Sequence, residues 1–384
     1  MGADNWGFCM SFDFPVISAD SHITEPPDCY STYIDSAFRD SAPRMVEDPV
    51  RGDVFVVPGM KSTVPMGLVA AAGKPAEELT QEGVKFDALH RSGYDATVRL
   101  ADQDRDGVAA EILYPTVGMV LCGHPDVDYK RACFNAYNRW ITEYCAEAPD
   151  RLLGCGQTAL RSVEEGITDL EAIKSAGLRG VMMPGRPGTE ADYDDPMWDP
   201  FWDAAVSLGL PLSFHILTAR GGGWRGPRLN SFLSIIRSIQ DIMGTLVFGG
   251  VFERHPDLRV VCVEADAGWV PHYMYRMDHA YKRHRNWLQP GVALSRLPSE
   301  YFAEHIFVTF QDDWTAFSHA NDMNWRRLMW ANDFPHSDST WPWSQEMLAE
   351  QTAQLTAEQT RAILSGNVAG LYGIDVAALQ PMAG

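Results

Sequence analysis

The chain has no Cys-x-x-Cys pair. Its seven cysteines, at positions 9, 29, 122, 133, 145, 155 and 262, are odd in number and widely spaced. That pattern argues against a disulfide framework and a structural zinc knuckle, and it favours a reducing compartment. No run of eighteen apolar residues occurs, and the opening MGADNWGFCMSFDFP lacks the basic start and apolar core of a secretory leader. A soluble, cytoplasmic protein is expected. Positive charge is scarce: 31 Lys and Arg stand against 51 Asp and Glu, a formal net charge of −20. Such a field repels phosphate backbones and anionic lipid, so neither nucleic acid nor membrane is an expected partner. An acidic small molecule would need local positive charge, from arginine or from a metal ion. Also missing is a Gly-x-Gly-x-x-Gly loop after the first predicted strand, which a doubly wound dinucleotide-binding sheet would carry. No internal repeat or low-complexity tract occurs.

What is present is alternation. Eight short β-rich runs recur along the chain: PVISAD, GVAAEILYPT, RLLGCGQTAL, GLRGVMMPG, LPLSFHI, LRVVCVEAD, HIFVTFQDD and RRLMWANDF. Helical patterns such as VEEGITDLEAIKSA, DPFWDAAVSLG and SFLSIIRSIQDIMGTLVFGGVFERHP lie between most of them. Strand-then-helix repetition predicts a parallel sheet covered by helices, and eight units predict an α/β fold of the (β/α)8 TIM-barrel type. Residues 1–384 are read as one domain. The Pro-, Gly- and Ser-rich stretch 26–95 is read as an insertion after the first strand, and 353–384 as a C-terminal helical extension. In that tail Thr356 and Gln359 have capping-box spacing, and the helix is expected to stop at Gly366 and pack on the outside of the barrel.

The chemistry gathers where apolar runs stop. The first strand ends in Asp20 and His22, two apart and therefore on one side of an extended chain. The fifth ends in His215, the sixth in Glu264 and Asp266, and the eighth in Asp333, with His336 three residues on. Each has a plainer reading alone: a loop polar cluster, a hydrogen-bonded core histidine, a helix N-cap, a carboxylate paired with arginine. Jointly placed at one rim, carboxylate and imidazole are what a catalytic divalent ion needs. His336 is open between orienting Asp333, contacting substrate and starting a helix.

DSHITEP, LPLSFHI, HPDLRVVCVEADAGWVPHYMYRMD and MWANDFPHSDSTWP together resemble the aminocarboxymuconate semialdehyde decarboxylase branch of the amidohydrolase superfamily, from about residue 16 to 373. The resemblance implies a (β/α)8 barrel with one divalent ion, Zn2+ or Mn2+, carboxy-lyase or hydrolase activity on a small-molecule carboxylic acid, and a homodimer. Carried over, His22, His215 and Asp333 are metal ligands. Asp20 stands where the family commonly has His or Glu, and Glu264 where its decarboxylases usually present a histidine. Two carboxylates with two imidazoles make a set suited to manganese as well as zinc. Asp333 and Glu264 are candidate catalytic acids or bases, and Glu264 is equally a candidate further ligand.

The loop ARGGGWRGPRLNS after the fifth strand supplies Arg220, Arg225 and Arg228 as candidate holders of a substrate carboxylate. Aromatic clusters near strand ends, WTAF, STWPWS and GWVPHYMY, suit a flat apolar substrate or ordinary packing. Three activities stay open: decarboxylation of an aromatic or conjugated acid, metal-dependent hydrolysis of an amide, lactone or C–C bond, and a metal-free, non-catalytic barrel.

Overall fold

The computed structural model describes residues 12–219, 226–291 and 293–379. The first strand, β1 (Val16–His22), is buried throughout even though it alternates apolar and polar residues. Its end puts Asp20 and His22 on one side, while a register shift between Ser18 and Ser21 brings those two hydroxyls together on Asn332. The chain then leaves the barrel. Residues 26–95 carry a short helix, Cys29–Tyr33, and a three-stranded antiparallel sheet of β2 (Arg44–Asp48), β3 (Gly52–Val56) and β4 (Val64–Pro65).

The barrel resumes with β5 (Val108–Tyr114), β6 (Leu152–Gln157), β7 (Gly180–Met183), β8 (Leu212–His215), β9 (Val260–Val263), β10 (Ile306–Phe310) and β11 (Leu328–Trp330). All seven are buried along their length, as parallel strands covered by helices must be. The sheet order is β1-β5-β6-β7-β8-β9-β10-β11, with parallel pairing. Two backbone bonds bring its ends together at the rim. Asp333 N–H donates to Asp20 O at 3.0 Å, and His22 N–H to Phe334 O at 2.7 Å. This is a (β/α)8 barrel whose eight strands are the eight expected runs in the expected order.

Local chemistry sets the helix ends. The Asp95 carboxylate accepts from the N–H groups of Thr97 and Val98 to start the helix Ala96–Asp106, and Ser162 caps Val163–Ser175. The run expected as one helix over 231–256 is three: Arg228–Phe232, Arg237–Phe248 and Val251–Arg254, the last break falling at Gly250 with φ +71°. Arg228–Phe248 is long and apolar enough by composition to cross a membrane, yet its second half buries Ile239, Met243, Leu246 and Val247 in the fold.

The tail also differs from expectation. Thr356 and Gln359 do form a reciprocal cap, but Gly366 does not end the helix. The chain widens into a π-turn at Ala362–Gly366 and continues as Asn367–Tyr372, ending at Gly373, which has the left-handed conformation, φ +65°. Nor does the tail stay wholly outside. The Tyr372 hydroxyl lies 3.1 Å from that of Tyr114 and 3.5 Å from Ser213 Oγ, on barrel strands β5 and β8. The six described cysteines are buried and unpaired.

Candidate metal centre

Asp20, His22, His215 and Glu264, from the ends of β1, β8 and β9, meet at one point, and Asp333, after β11, joins an overlapping group with His22, Glu264 and His336. His22 Nε2 lies 3.4 Å from Asp20 Oδ1, 3.3 Å from Glu264 Oε2 and 3.5 Å from Asp333 Oδ1. His215 Nε2 lies 3.6 Å from Asp20 Oδ1, 3.1 Å from Glu264 Oε2 and 3.2 Å from His22 Nε2. Donors each about 2.1 Å from a shared ion sit roughly 3.0 to 3.4 Å apart across right-angled or tetrahedral edges. The short Asp20 side chain therefore reaches the cluster as well as the others do.

The two imidazoles decide what belongs there. His22 Nδ1 is 3.1 Å from Pro115 O, and His215 Nδ1 is 3.0 Å from Ile216 O, so each Nδ1–H donates to a carbonyl. That leaves the two Nε2 atoms pointed at each other among carboxylates, an arrangement a shared cation makes favourable. Asp20 Oδ1 and Oδ2, Glu264 Oε2 and Asp333 Oδ2 are buried without a hydrogen-bond partner, further orphaned acceptors at the same point. The residues fit a divalent ion.

Proton affinities carry the same signature. Burial opposes ionisation of Asp20, but the His215 and His22 imidazoles beside it outweigh that and hold the carboxyl below the usual range. Burial lowers His22, yet Asp20 and Glu264 beside it, then the Asp333 charge, raise it well above normal. Asp333 is pushed well up by burial and by the charge of Glu264. His336 is driven well down by burial and by His22, so it is neutral.

His336 completes the floor. Its Nδ1 is 2.9 Å from Asp333 Oδ1, its Nε2 is 3.0 Å from Thr116 Oγ1, and its ring stacks on His22 with centroids 4.0 Å apart. It therefore starts no helix; the next begins at Ser344. Asp333 is no N-cap either. It holds a left-handed φ of +53°, as do Leu217 (+65°), Glu264 (+57°) and Asp266 (+52°) on the same rim. Non-glycine residues in that region each cost on the order of 1–3 kcal/mol, and such strain gathers at ligand-holding sites.

Above the cluster opens a cavity of about 570 Å³, which Glu264, Asp333 and His336 help to line. The inserted segment closes one side with Val64, Leu68 and Val69. Trp269 and Trp314, from the expected aromatic clusters, also line it, whereas Trp341 packs away from the site with Phe334 and Ala72.

A sequence model described as Amidohydrolase matches residues 90–374. The chain belongs to the amidohydrolase family. Among curated proteins it is 23% identical over 299 residues to 2-amino-3-carboxymuconate-6-semialdehyde decarboxylase of Dictyostelium discoideum, covering 77% of this chain and 81% of that one. Among solved structures it resembles an amidohydrolase from Mycobacterium avium subsp. paratuberculosis K-10, with a TM-score of 0.78, 19% identity and coverage of 96% and 100% of the two chains. It also resembles the 5-carboxyvanillate decarboxylase of Novosphingobium aromaticivorans, solved with manganese and 4-hydroxy-3-methoxy-5-nitrobenzoic acid, with a TM-score of 0.69, 18% identity and coverage of 94% and 96%.

Within this amidohydrolase barrel the loop arginines fare differently from the rim residues. Arg220 and Arg225 lie outside the described residues. Arg228 begins an exposed helical turn and does not line the cavity. Sequence reasoning missed the residues that hold the ligands still. Arg99, fully buried, donates from Nε to Glu111 (2.6 Å) and from its terminal nitrogens to the carbonyls of His22 (2.8 Å) and Phe334 (3.1 Å). It ties the first strand's end to the last. Glu25, also buried, accepts from the N–H groups of Thr116, Val117 and Gly118 and so anchors the turn after β5. Glu25 stood inside the quoted motif DSHITEP; Arg99 carried no signal.

Proposed function

We propose that this amidohydrolase-family protein is a metal-dependent carboxy-lyase that removes CO2 from an aromatic or conjugated carboxylic acid. The observation that carries the reading is the pair of facing imidazole nitrogens beside three carboxylates that each leave at least one buried oxygen without a hydrogen bond, with Asp333 lining a cavity of about 570 Å³. Asp20, His22, His215, Glu264 and Asp333 would hold the ion. Manganese suits this oxygen-rich set better than zinc. The ion, when bound, supplies Lewis acidity and a template for a substrate carboxylate and a neighbouring oxygen.

The protein groups then do the following. Asp333 gives its proton to the ring carbon that bears the carboxylate. The bond from that carbon to the carboxylate breaks, its electron pair restores the ring, and CO2 leaves; water reprotonates Asp333. His336, neutral and fixed by Thr116, holds the Asp333 carboxyl in place. The apolar wall keeps water from the carbon being protonated. Glu264 sits among the donors instead of standing free, which removes it as a separate general base for the hydrolytic alternative. We also propose a homodimer in the cytoplasm, supported by the resemblance and by the cysteine usage; light scattering tests the assembly.

The test of the activity is the manganese-loaded protein against a panel of hydroxybenzoates, amides and lactones, following CO2 release and incorporation of labelled water. CO2 release abolished by Asp333→Asn is expected. Solvent oxygen appearing in product without CO2 would replace this reading with hydrolysis.

A further inference from the structure

The cavity has two unlike walls. One is apolar, with Val69, Met119, Val120, Ile216 and Ile235. The other, built from the turns after β9, β10 and β11, presents Asp266, Asp312 and Asp338 beside the rings of Trp269 and Trp314. Asp313 on that wall is committed to the fold, accepting from the N–H groups of Ala267, Gly268 and Ala316. Asp266 accepts the Gln311 N–H, yet among the described residues no arginine, lysine or histidine forms an ion pair with Asp266 or Asp338, and His336, in the same turn as Asp338, is held by Asp333 and Thr116.

The tryptophans are placed as oddly as the acids. Trp314 is 65% exposed, and Trp269 is oriented by its ring N–H, 2.8 Å from Ala265 O and 3.0 Å from Asp266 O. A solvated acidic surface has no need of indole faces, and an apolar pocket has no need of carboxylates. Indole faces and carboxylates together attract cations. Asp333, whose Oδ2 is buried without a partner, lines the same cavity, so a molecule that spans it touches both the centre and this wall.

We infer that the substrate is an acid with an apolar ring that carries a cationic amino or ammonium group at the end away from the metal, held by Asp266 and Asp338 against the Trp269 and Trp314 rings. This rests on the carboxy-lyase reading. Such a molecule is a zwitterion, so a chain of net charge −20 does not oppose its approach as it would a simple anion.

The test is calorimetric binding to the manganese-loaded protein at about pH 7.5, using 2-hydroxybenzoates that carry an aminomethyl, a hydroxymethyl or a carboxyl group opposite the carboxylate. The aminomethyl compound should bind roughly tenfold tighter than the hydroxymethyl one, and the dicarboxylate weakest. In Asp266→Asn/Asp338→Asn the preference should fall below about twofold while the hydroxymethyl compound keeps its affinity, which shows that the variant is folded. Equal binding of the aminomethyl and hydroxymethyl compounds, tightest binding of the dicarboxylate, or a preference unchanged in the double variant would overturn the inference. If no compound binds the loaded protein better than the stripped one, the carboxy-lyase reading fails by itself. Benzylamine then decides this proposal: weaker binding to the double variant sustains it, and equal binding ends it.

Discussion

Arg99→Met is the sharpest test of how the centre is held. The substitution keeps the bulk but removes the cation beside Glu111, a carboxylate as buried as Arg99 itself, and leaves it only Gln103 Nε2 at 2.7 Å. Stripping one partner from a buried pair costs about 3–5 kcal/mol. The carbonyls of His22 and Phe334 each lose a donor, adding roughly 1 kcal/mol, since Phe334 O keeps the His22 N–H. For 384 residues the unfolding entropy is about 0.8 kcal/mol/K. A loss of roughly 4–6 kcal/mol therefore lowers Tm by about 5–7 °C. The assay is thermal unfolding followed by circular dichroism in the presence of chelator, with Arg99→Met/Glu111→Gln as the partner variant. The double variant should recover about half of the loss, because no charge is stranded. Manganese affinity, measured by equilibrium dialysis, should fall roughly tenfold in the single variant, since both released carbonyls belong to or adjoin ligand residues. A Tm within about 1 °C of the parent, or a double variant no better than the single, would refute the reasoning.

Manganese at about a hundred times its Kd should raise stability by roughly 2.7 kcal/mol and Tm by about 3 °C, an effect lost in His215→Ala and in Asp20→Ala; differential scanning calorimetry reads it. Asp106, buried under Ser344 and Asn332, is raised from 3.8 to about 7, chiefly by burial. Its protonated form favours folding, so its contribution of up to roughly 4 kcal/mol is complete below about pH 3.8 and gone above about pH 7. Urea unfolding at about pH 5 and about pH 8 should show a loss of roughly 3 kcal/mol in the parent and a much smaller one in Asp106→Asn. Thr116→Val removes the partner of His336 Nε2 and should cut kcat about tenfold with little change in KM; an unchanged kcat in steady-state assays would show that Thr116 does not position His336.

The strands were legible because each is a short apolar run that ends in a change of chemistry, as LMWAND does at Asp333. His22, His215 and Asp333 were legible for the same reason: a barrel rim is where such runs stop. Glu264 was legible as a position but not as a role, because its choice between ligand and base depends on where a carboxylate oxygen lands to within an ångström. Arg99 was not legible. Its partners are backbone carbonyls 77 and 235 residues away, and a carbonyl leaves no mark in a sequence. The tail misled through Gly366, which sits in an ordinary right-handed turn, φ −63°, inside a widened helix. The small sheet within residues 26–95 was read only as an insertion, although Val64 of its last strand, with Leu68 and Val69 just beyond, forms part of the cavity wall.

The left-handed residues Leu217, Glu264, Asp266 and Asp333 have a consequence for anyone who hardens this protein against heat. Glycine at Leu217 or Asp266 would relax the main chain, and a selection for thermal endurance alone would find such changes early. Each would also loosen the turn that aims its neighbours inward. Endurance and turnover should therefore trade against each other along four residues, while the outer helices remain free to be improved.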